Sequence, residues 1–494
     1  MIGSILVPNR GEIAVRIARS CREMGIRSIW AFAESESGAL PRRSFDEAVS
    51  LGEGDARATY LNVGAIIDAA RRTGADAIHP GYGFLSERAE LAAACADAGI
   101  IFVGPGADAI EAMGSKAGSR MLMERLGVPV VPGYHGEDQN DARFTAEAET
   151  IGYPVLVKAS AGGGGKGMKI AWSRSDLPEA LASARREAAR AFGNDRLLLE
   201  KFIQHPRHVE FQIFGDAGGR VMHLFERDCS IQRRHQKVIE ESPAPLFPDE
   251  LRRTMGRSAV DAALGVNYRN AGTVEFILTA AGEYYFLEMN TRLQVEHPVT
   301  EMVLGVDLVR AQIEVASGSP LPWREGELTQ RGHAIETRIY AENADEGFLP
   351  QTGTLRRFDI PRAPGVRVDS GVGEGSEVTV SWDPMLAKVI AHAETRELCI
   401  RRLASALEES AIFGVTTNTS YLKRVLRHPA FAAGEVSTHF ITDHEADLHR
   451  APSLETAAVA ALLAPMGKAS RKPAGDEGVA ALASVWDLGG AWGR

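Results

Sequence analysis

The segment Tyr284-Tyr-Phe-Leu-Glu-Met-Asn-Thr-Arg-Leu-Gln-Val-Glu-His-Pro298 decides how the rest of the chain is read. As extended chain, its period of two puts Glu288, Asn290, Arg292, Gln294 and Glu296 on one face and Met289, Leu293 and Val295 on the other. The first face is apolar just upstream, at Tyr284 and Phe286, so the spacing predicts a strand whose polar groups begin where it leaves a core. Gly272 to Thr279 alternates as well, and Ala280-Ala-Gly-Glu283 joins the two runs as a short hairpin. With Ala281-Gly282 at the tip, Glu275 faces Glu288 across the strands, with Cβ atoms ~5 Å apart. Like charges so placed repel, and either basic neighbours or a bound cation must offset them. Two carboxylates and the Asn290 amide oxygen are hard donors suited to Mg2+ or Mn2+.

Working outward, residues 2–7, 28–33, 76–79 and 100–103 are apolar strands, and 10–25 has helical spacing closed by Gly25. This β-α-β opening predicts an open α/β sheet, but its first turn, Asn9-Arg-Gly-Glu12, is not a dinucleotide fingerprint. His79 to Glu87 is a turn-rich loop with exposed aromatics, either a structural turn or a ligand-contacting loop. Lys116 falls in a helix. Strands at 153–158 and 168–172 flank Gly162-Gly-Gly-Gly-Lys-Gly167, a glycine-loop hairpin rather than a Walker loop, because no Ser or Thr opening a helix follows Lys166. Such a loop either closes its N–H groups over phosphate, with Lys158 and Lys166 as point charges, or is a plain linker. Leu197 to Ile203 reads as an apolar hinge and His208 to Phe214 as a strand. The charge-dense run from Glu226 to Glu241, with Arg233, Arg234, His235 and Lys237, is either a solvated face or a phosphate contact. From Gly332 alternating runs and a helix over 395–409 predict a further α+β segment ending near Asp443.

With 494 residues, 45% hydrophobic, the chain exceeds one core, and about three domains are expected. A net charge of -10 argues against general nucleic-acid binding. Cys21, Cys95, Cys229 and Cys399 lack any Cys-x-x-Cys spacing and read as reduced thiols. The sequence contains no apolar run near the ~20 residues of a membrane span and no secretory leader, so a cytoplasmic protein is expected.

Lys116, the Gly162–Gly167 loop, Glu275, Glu288-Met-Asn290 and Arg292-Leu-Gln-Val-Glu296, with Asn9 to Ala14, His79 to Gly83, Glu226 to Ser230 and Arg233 to Lys237 in order, resemble the biotin carboxylases of the ATP-grasp superfamily over residues 2 to about 445. The resemblance implies a mixed α/β and α+β chain. Its parts would be a Rossmann-like N-terminal domain (1–113), an ATP-grasp domain (114–330) with a glycine-loop lid over about 132–203, a C-terminal biotin carboxylase domain (331–446) and a tail (447–494).

It implies ATP- and bicarbonate-dependent carboxylation of biotin on a separate carrier, through carboxyphosphate, as the first half-reaction of an acyl-CoA or related carboxylase. Glu275, Glu288 and Asn290 would hold Mg2+ or Mn2+. The ATP set would be Lys116, Lys158, Gly163, Gly164, Gly165, Lys166, Gly167, Glu200, Lys201, Ile203, His208, Gln232, His235, Glu275 and Glu288. Arg292, Gln294 and the Val295 amide would bind bicarbonate, Glu296 would be its base, Lys237 would stabilise carboxyphosphate and Arg338 the biotin enolate. Tyr82 and Gly83 would line the biotin site. A biotin carrier, a carboxyltransferase subunit and a homo-oligomeric partner are implied, and neither nucleic acid nor membrane.

Trp382 to Lys388 looks more like the acyl-CoA carboxylase α chains, and Pro8 departs from the small residue common there. Neither Met168-Lys169 nor Met466-Gly-Lys468 suits a biotinylation turn, so the chain is expected to carry no covalent biotin; 453–464 could form one helix before a flexible 468–478. Two other readings share parts of this set. A different ATP-grasp ligase would have no use for Arg338 or the Arg292–Glu296 pocket, and an ATP-sensing module would be expected to lack Glu296 or a metal ligand.

Overall fold

The computed structural model describes residues 2–449 apart from 161–167 and 235. The glycine loop, the His235 position and the expectations for 453–494 lie outside the described residues.

Strands β1 (Ser4–Val7), β2 (Arg27–Phe32), β3 (Glu47–Ser50), β4 (Ala77–Ile78) and β5 (Ile101–Phe102) form a parallel sheet in the order β3-β2-β1-β4-β5. Parallel neighbours require crossovers, and the helices Gly11–Glu23, Val63–Thr73 and Ala89–Asp97 supply three of them, with short 3-10 turns between β2 and β3. The first buries Ile13, Ile17 and Cys21 in the core that holds Trp30, whose indole N–H donates to the Asn9 carbonyl at 2.9 Å. The loop after β4 corrects one expectation. Its aromatics are half-buried, with Phe84 stacked on Tyr60 at 4.7 Å and meeting Trp382 edge-on.

A second sheet, β6 (Gly133–Tyr134), β9 (Leu197–Lys201), β7 (Val155–Ala159) and β8 (Lys169–Ala171) in that order, contains the segment expected to be a hinge. Leu197 and Leu199 are apolar because they are strand residues buried beside Phe144 and Leu181.

The third sheet has eight strands: β14 (Tyr284–Asn290), β13 (Asn270–Leu278), β10 (Arg207–Gly215), β11 (Val221–Arg233), β12 (Gln236–Ser242) and β15 (His333–Tyr340), then the strands Met385–Ala393 and Val366–Ser370. The ladder continues without a break from β12 into β15, where Glu240 faces Glu336, and on to Lys388, which faces Arg338. The β13–β14 hairpin turns over Ala280–Gly282, with Gly282 at φ +86° and its N–H on the Thr279 carbonyl, and it sets Glu275 opposite Glu288.

Two details of that hairpin differ from the alternation read in the sequence. The register shifts between Glu275 and Phe276, leaving Leu287 as the extra residue, so Phe286 and Met289 pack in one core despite opposite parity. A bulge of this kind re-aims the side chains beyond it, and Glu288 and Asn290 therefore do not share the face of Phe286. Moreover, β14 stops at Asn290. Residues 291–296 are a turn, followed by the helix His297–Leu304 with Pro298 in its first turn.

Candidate active site

Four strands and one turn converge on a set of buried charges. β10 alternates so that His208, Glu210 and Gln212 are all buried, and β13 places Glu275 beside Glu210. β12 contributes Lys237 and Glu240, β15 contributes Arg338, and the 291–296 turn contributes Gln294 and Glu296.

Lys237 is the centre. Its ammonium lies 2.5 Å from Glu210, 2.8 Å from Glu275 and 2.6 Å from Glu296. Burial alone would lower its pKa, but three carboxylates raise it well above the ordinary lysine value, so it is a cation. Glu275 Oε1 also accepts from Asn290 Nδ2 at 2.8 Å and Gln294 Nε2 at 2.6 Å, while its Oε2 lies 2.8 Å from His208 Nε2. Burial works against the Glu275 anion, but Lys237 and His208 prevail and hold it well below the usual range.

Glu296 sits between Lys237 and Arg338, whose Nη2 is 3.0 Å from its other oxygen; against burial, these cations with Arg227 hold it low. Arg338 is anchored by Glu240, Nε to Oε1 at 2.6 Å. The Glu240 carboxyl is pushed up to about 7, chiefly by burial.

Arg292 donates to Asn290 Oδ1 at 3.0 Å and pairs with Glu87 at 3.0 Å, joining this turn to the loop that carries Tyr82 and Gly83. The Tyr82 hydroxyl donates to Glu12, and Gly83 has φ +71°. The Val295 carbonyl accepts from Lys388 Nζ at 2.6 Å. Gln232 is buried at the end of β11, facing Lys237 across the ladder. Arg233 turns away to Glu342 and stacks over Phe348 at 4.1 Å. The charge run is therefore a hairpin that aims Lys237 inward.

Glu288 is half-buried opposite Glu275. Further out, Lys158 pairs with Glu200, which Arg120 also binds at 2.8 Å, and Lys201 donates to the Gly152 and Tyr153 carbonyls. Ile203 is half-buried in the link to β10. Lys116 opens a helix capped by the Ser115 hydroxyl, and its side chain lies outside the described residues.

The sequence reading missed Glu210, Arg227 and Glu240. Arg227 is fully buried and binds Glu210 at 2.6 Å, Gln212 at 2.8 Å, Thr300 at 2.9 Å and Gln294 at 2.9 Å, so it orients the turn. The signal available was three polar residues at period two in β10, which resembles a solvated face until its partner strands are known.

Residues 1–110 match the family described as "Biotin carboxylase, N-terminal domain", 115–324 "Carbamoyl-phosphate synthase L chain, ATP binding domain", and 336–443 "Biotin carboxylase C-terminal domain". A biotin carboxylase from Halalkalibacterium halodurans is 47% identical over 444 residues, covering 90% of this chain and 98% of that protein. The chain belongs to the biotin carboxylase family.

Another relative within reach of this family is the mitochondrial methylcrotonoyl-CoA carboxylase subunit alpha of Glycine max, 51% identical over 90% of this chain. The chain spans 61% of that subunit's length. Among solved biotin carboxylases, the domain dimer of Hydrogenobacter thermophilus 2-oxoglutarate carboxylase, in complex with MgADP, ADP and bicarbonate, matches with TM-score 0.85 and 44% identity, covering 91% of this chain and 99% of that one. The Campylobacter jejuni biotin carboxylase, in a β,γ-ATP complex, matches with TM-score 0.85 and 42% identity, over 90% of this chain and 99% of that one. Among the described residues, no helix is long and apolar enough to cross a membrane.

Proposed function

We propose that this protein carboxylates biotin on a separate carrier protein, using ATP and bicarbonate. The observation that carries the reading is Glu296, an anionic carboxylate held between two buried cations, Lys237 at 2.6 Å and Arg338 at 3.0 Å, in the turn that also presents Arg292 and Gln294. Arg292 offers a planar fork to bicarbonate, with Gln294 beside it. Glu296 takes the bicarbonate proton so that a bicarbonate oxygen can attack the terminal phosphorus of ATP, breaking its bond to the bridging oxygen and releasing ADP as carboxyphosphate forms. Its low basicity in the free protein comes from Lys237 and Arg338, after burial is overcome. As those cations turn to the substrate anions, the restraint lifts and the carboxylate becomes a better base. Lys237 then faces carboxyphosphate, and Arg338, fixed by Glu240, meets the enolate oxygen of biotin where negative charge develops. Tyr82 and Gly83 line the biotin side.

The donor set fits a divalent cation. Glu275 stays anionic, with three N–H donors on Oε1 and His208 Nε2 2.8 Å from Oε2, and Glu288 stands across the ladder. These two would hold Mg2+ or Mn2+, which neutralises phosphate charge when bound. Asn290 turns its oxygen to Arg292 in this state. Lys116, Lys158, the glycine loop, Glu200, Lys201, Ile203, His208, Gln232 and His235 make up the nucleotide set. Segments 1–113, 114–330 and 331–446 act as the three working parts, in a homo-oligomeric cytoplasmic protein that serves a biotin carrier and a carboxyltransferase. The dimer described for the Hydrogenobacter domain supports the oligomer. ATP hydrolysis measured with Mg2+ and bicarbonate, with and without free biotin, tests this; it is expected to require bicarbonate and to rise with biotin, and hydrolysis indifferent to both overturns it.

A further inference from the structure

Lys388 is a cation whose side chain has no exposure at all, on the strand Met385–Ala393, directly opposite Arg338. None of the steps above uses it. Its ammonium donates to the Val295 carbonyl at 2.6 Å and lies 3.2 Å from Glu12 Oε1. Glu12 is itself buried at the start of the helix Gly11–Glu23, and the same oxygen accepts the Tyr82 hydroxyl. The backbone behind Tyr82 is fixed by Asn9, whose Nδ2 donates to the Pro80 and Tyr82 carbonyls at 2.7 and 2.8 Å. One ammonium thus touches the 291–296 turn directly and the 79–87 loop through a single carboxylate. Burying such a pair has a large desolvation cost, and well-packed apolar replacements are often neutral or stabilising, so stability alone gives it little reason to exist.

We propose that Lys388 is a positioning residue: through Glu12 it sets the placement of the biotin-facing loop at Tyr82 against the bicarbonate-facing turn at Val295. This rests on the function proposed above for those two segments. The registration matters because carboxyl transfer needs both substrates in one geometry, and misplacement by about 1 Å can cost 10²-fold in rate.

The test uses the full chain and the charge-neutral double variant Lys388→Met/Glu12→Gln, which leaves neither partner as a lone buried charge. KM values for free biotin, bicarbonate and ATP are measured alongside thermal unfolding. The double variant is expected to raise KM for biotin and bicarbonate on the order of ten- to hundredfold, with KM for ATP within about twofold. Tyr82→Phe, a half-buried position that keeps its ring, is expected to raise KM for biotin alone. The proposal is overturned if the double variant leaves both KM values unchanged, or if all three rise together with a fall in melting temperature. Should the double variant not fold, an unchanged biotin KM in Tyr82→Phe overturns it. A parent protein without biotin-stimulated ATPase would instead overturn the proposed function.

Discussion

Replacing Lys237 with Met removes the cation shared by three carboxylates while keeping most of the side-chain volume. Two of the carboxylates retain a cation, Glu210 keeping Arg227 at 2.6 Å and Glu296 keeping Arg338 at 3.0 Å, while Glu275 keeps His208 at 2.8 Å, which offsets its charge only when the imidazole is protonated. The loss is therefore that of breaking one buried ionic cluster, about 3–5 kcal/mol at pH 8. One carboxyl in the variant should relieve the excess charge by binding a proton. That group's folded pKa then lies above its unfolded value, so its contribution is present at low pH and is lost as pH rises through the folded pKa. Uptake of one proton between pH 8 and pH 6 restores at most about 2.7 kcal/mol. Glu240, near 7 in the parent, is itself held down in part by Lys237, so in the variant its carboxyl moves further up and adds to the same pH dependence. Urea unfolding of parent and variant at pH 6, 7 and 8, followed by tryptophan fluorescence, reads this directly, and the variant's biotin-dependent ATPase should be lost throughout. A destabilisation under about 1 kcal/mol, or a difference that does not vary with pH, would refute the reasoning.

Glu296→Gln should abolish biotin carboxylation while leaving Mg-ATP affinity within a few-fold by calorimetry; loss of nucleotide affinity would assign this carboxylate to the metal. Glu241 is held down to about 2 by His333 and Arg396 against the effect of burial, compared with 4.5 for a free carboxyl. Its folded pKa is depressed, so its contribution of about 3 kcal/mol is present above pH 4.5 and is lost as pH falls towards 2. Glu241→Gln should lower stability at pH 7 by about that amount and flatten the acid limb of the unfolding curve, whereas an unchanged limb would contradict the pairing. Removing divalent metal with EDTA should stop ATP hydrolysis and Mn2+ should restore it; hydrolysis that survives EDTA would exclude a metal role for Glu275 and Glu288.

The hairpin was legible because a Gly-bearing turn joins two alternating strands, but the register at that turn would set Glu275 against Leu287, and it is the bulge that brings Glu275 opposite Glu288. What lay beyond the hairpin was not legible. The bulge at Leu287 depends on how β14 meets β13, and Gln294 and Glu296 reach the site from a turn rather than along a strand. The apolar Leu197 to Lys201 signalled burial without saying whether as a strand or a hinge. Glu210, Arg227 and Glu240 were hardest, because a polar residue on an alternating strand faces water or a buried cluster depending on partners far away in sequence. Lys388 shows the same limit, since its two contacts lie 93 residues away at Val295 and on the first helix.

The unbroken ladder of the large sheet has a mechanical consequence. Its strands carry Glu275, Glu288, Lys237 and Arg338 on one hydrogen-bonded frame, so the distances among these groups cannot be changed by bending between β12 and β15 without breaking backbone pairs. The four-stranded sheet that bears Lys158 and Glu200 belongs to a different frame. It is tethered on one side just after Val130, which still bridges to Phe286, and on the other by residues 202–206 before β10. Arg120 adds a third link through Glu200, and a relative rotation of the two frames would move the Lys158–Glu200 pair towards or away from a charge array whose internal spacing stays constant.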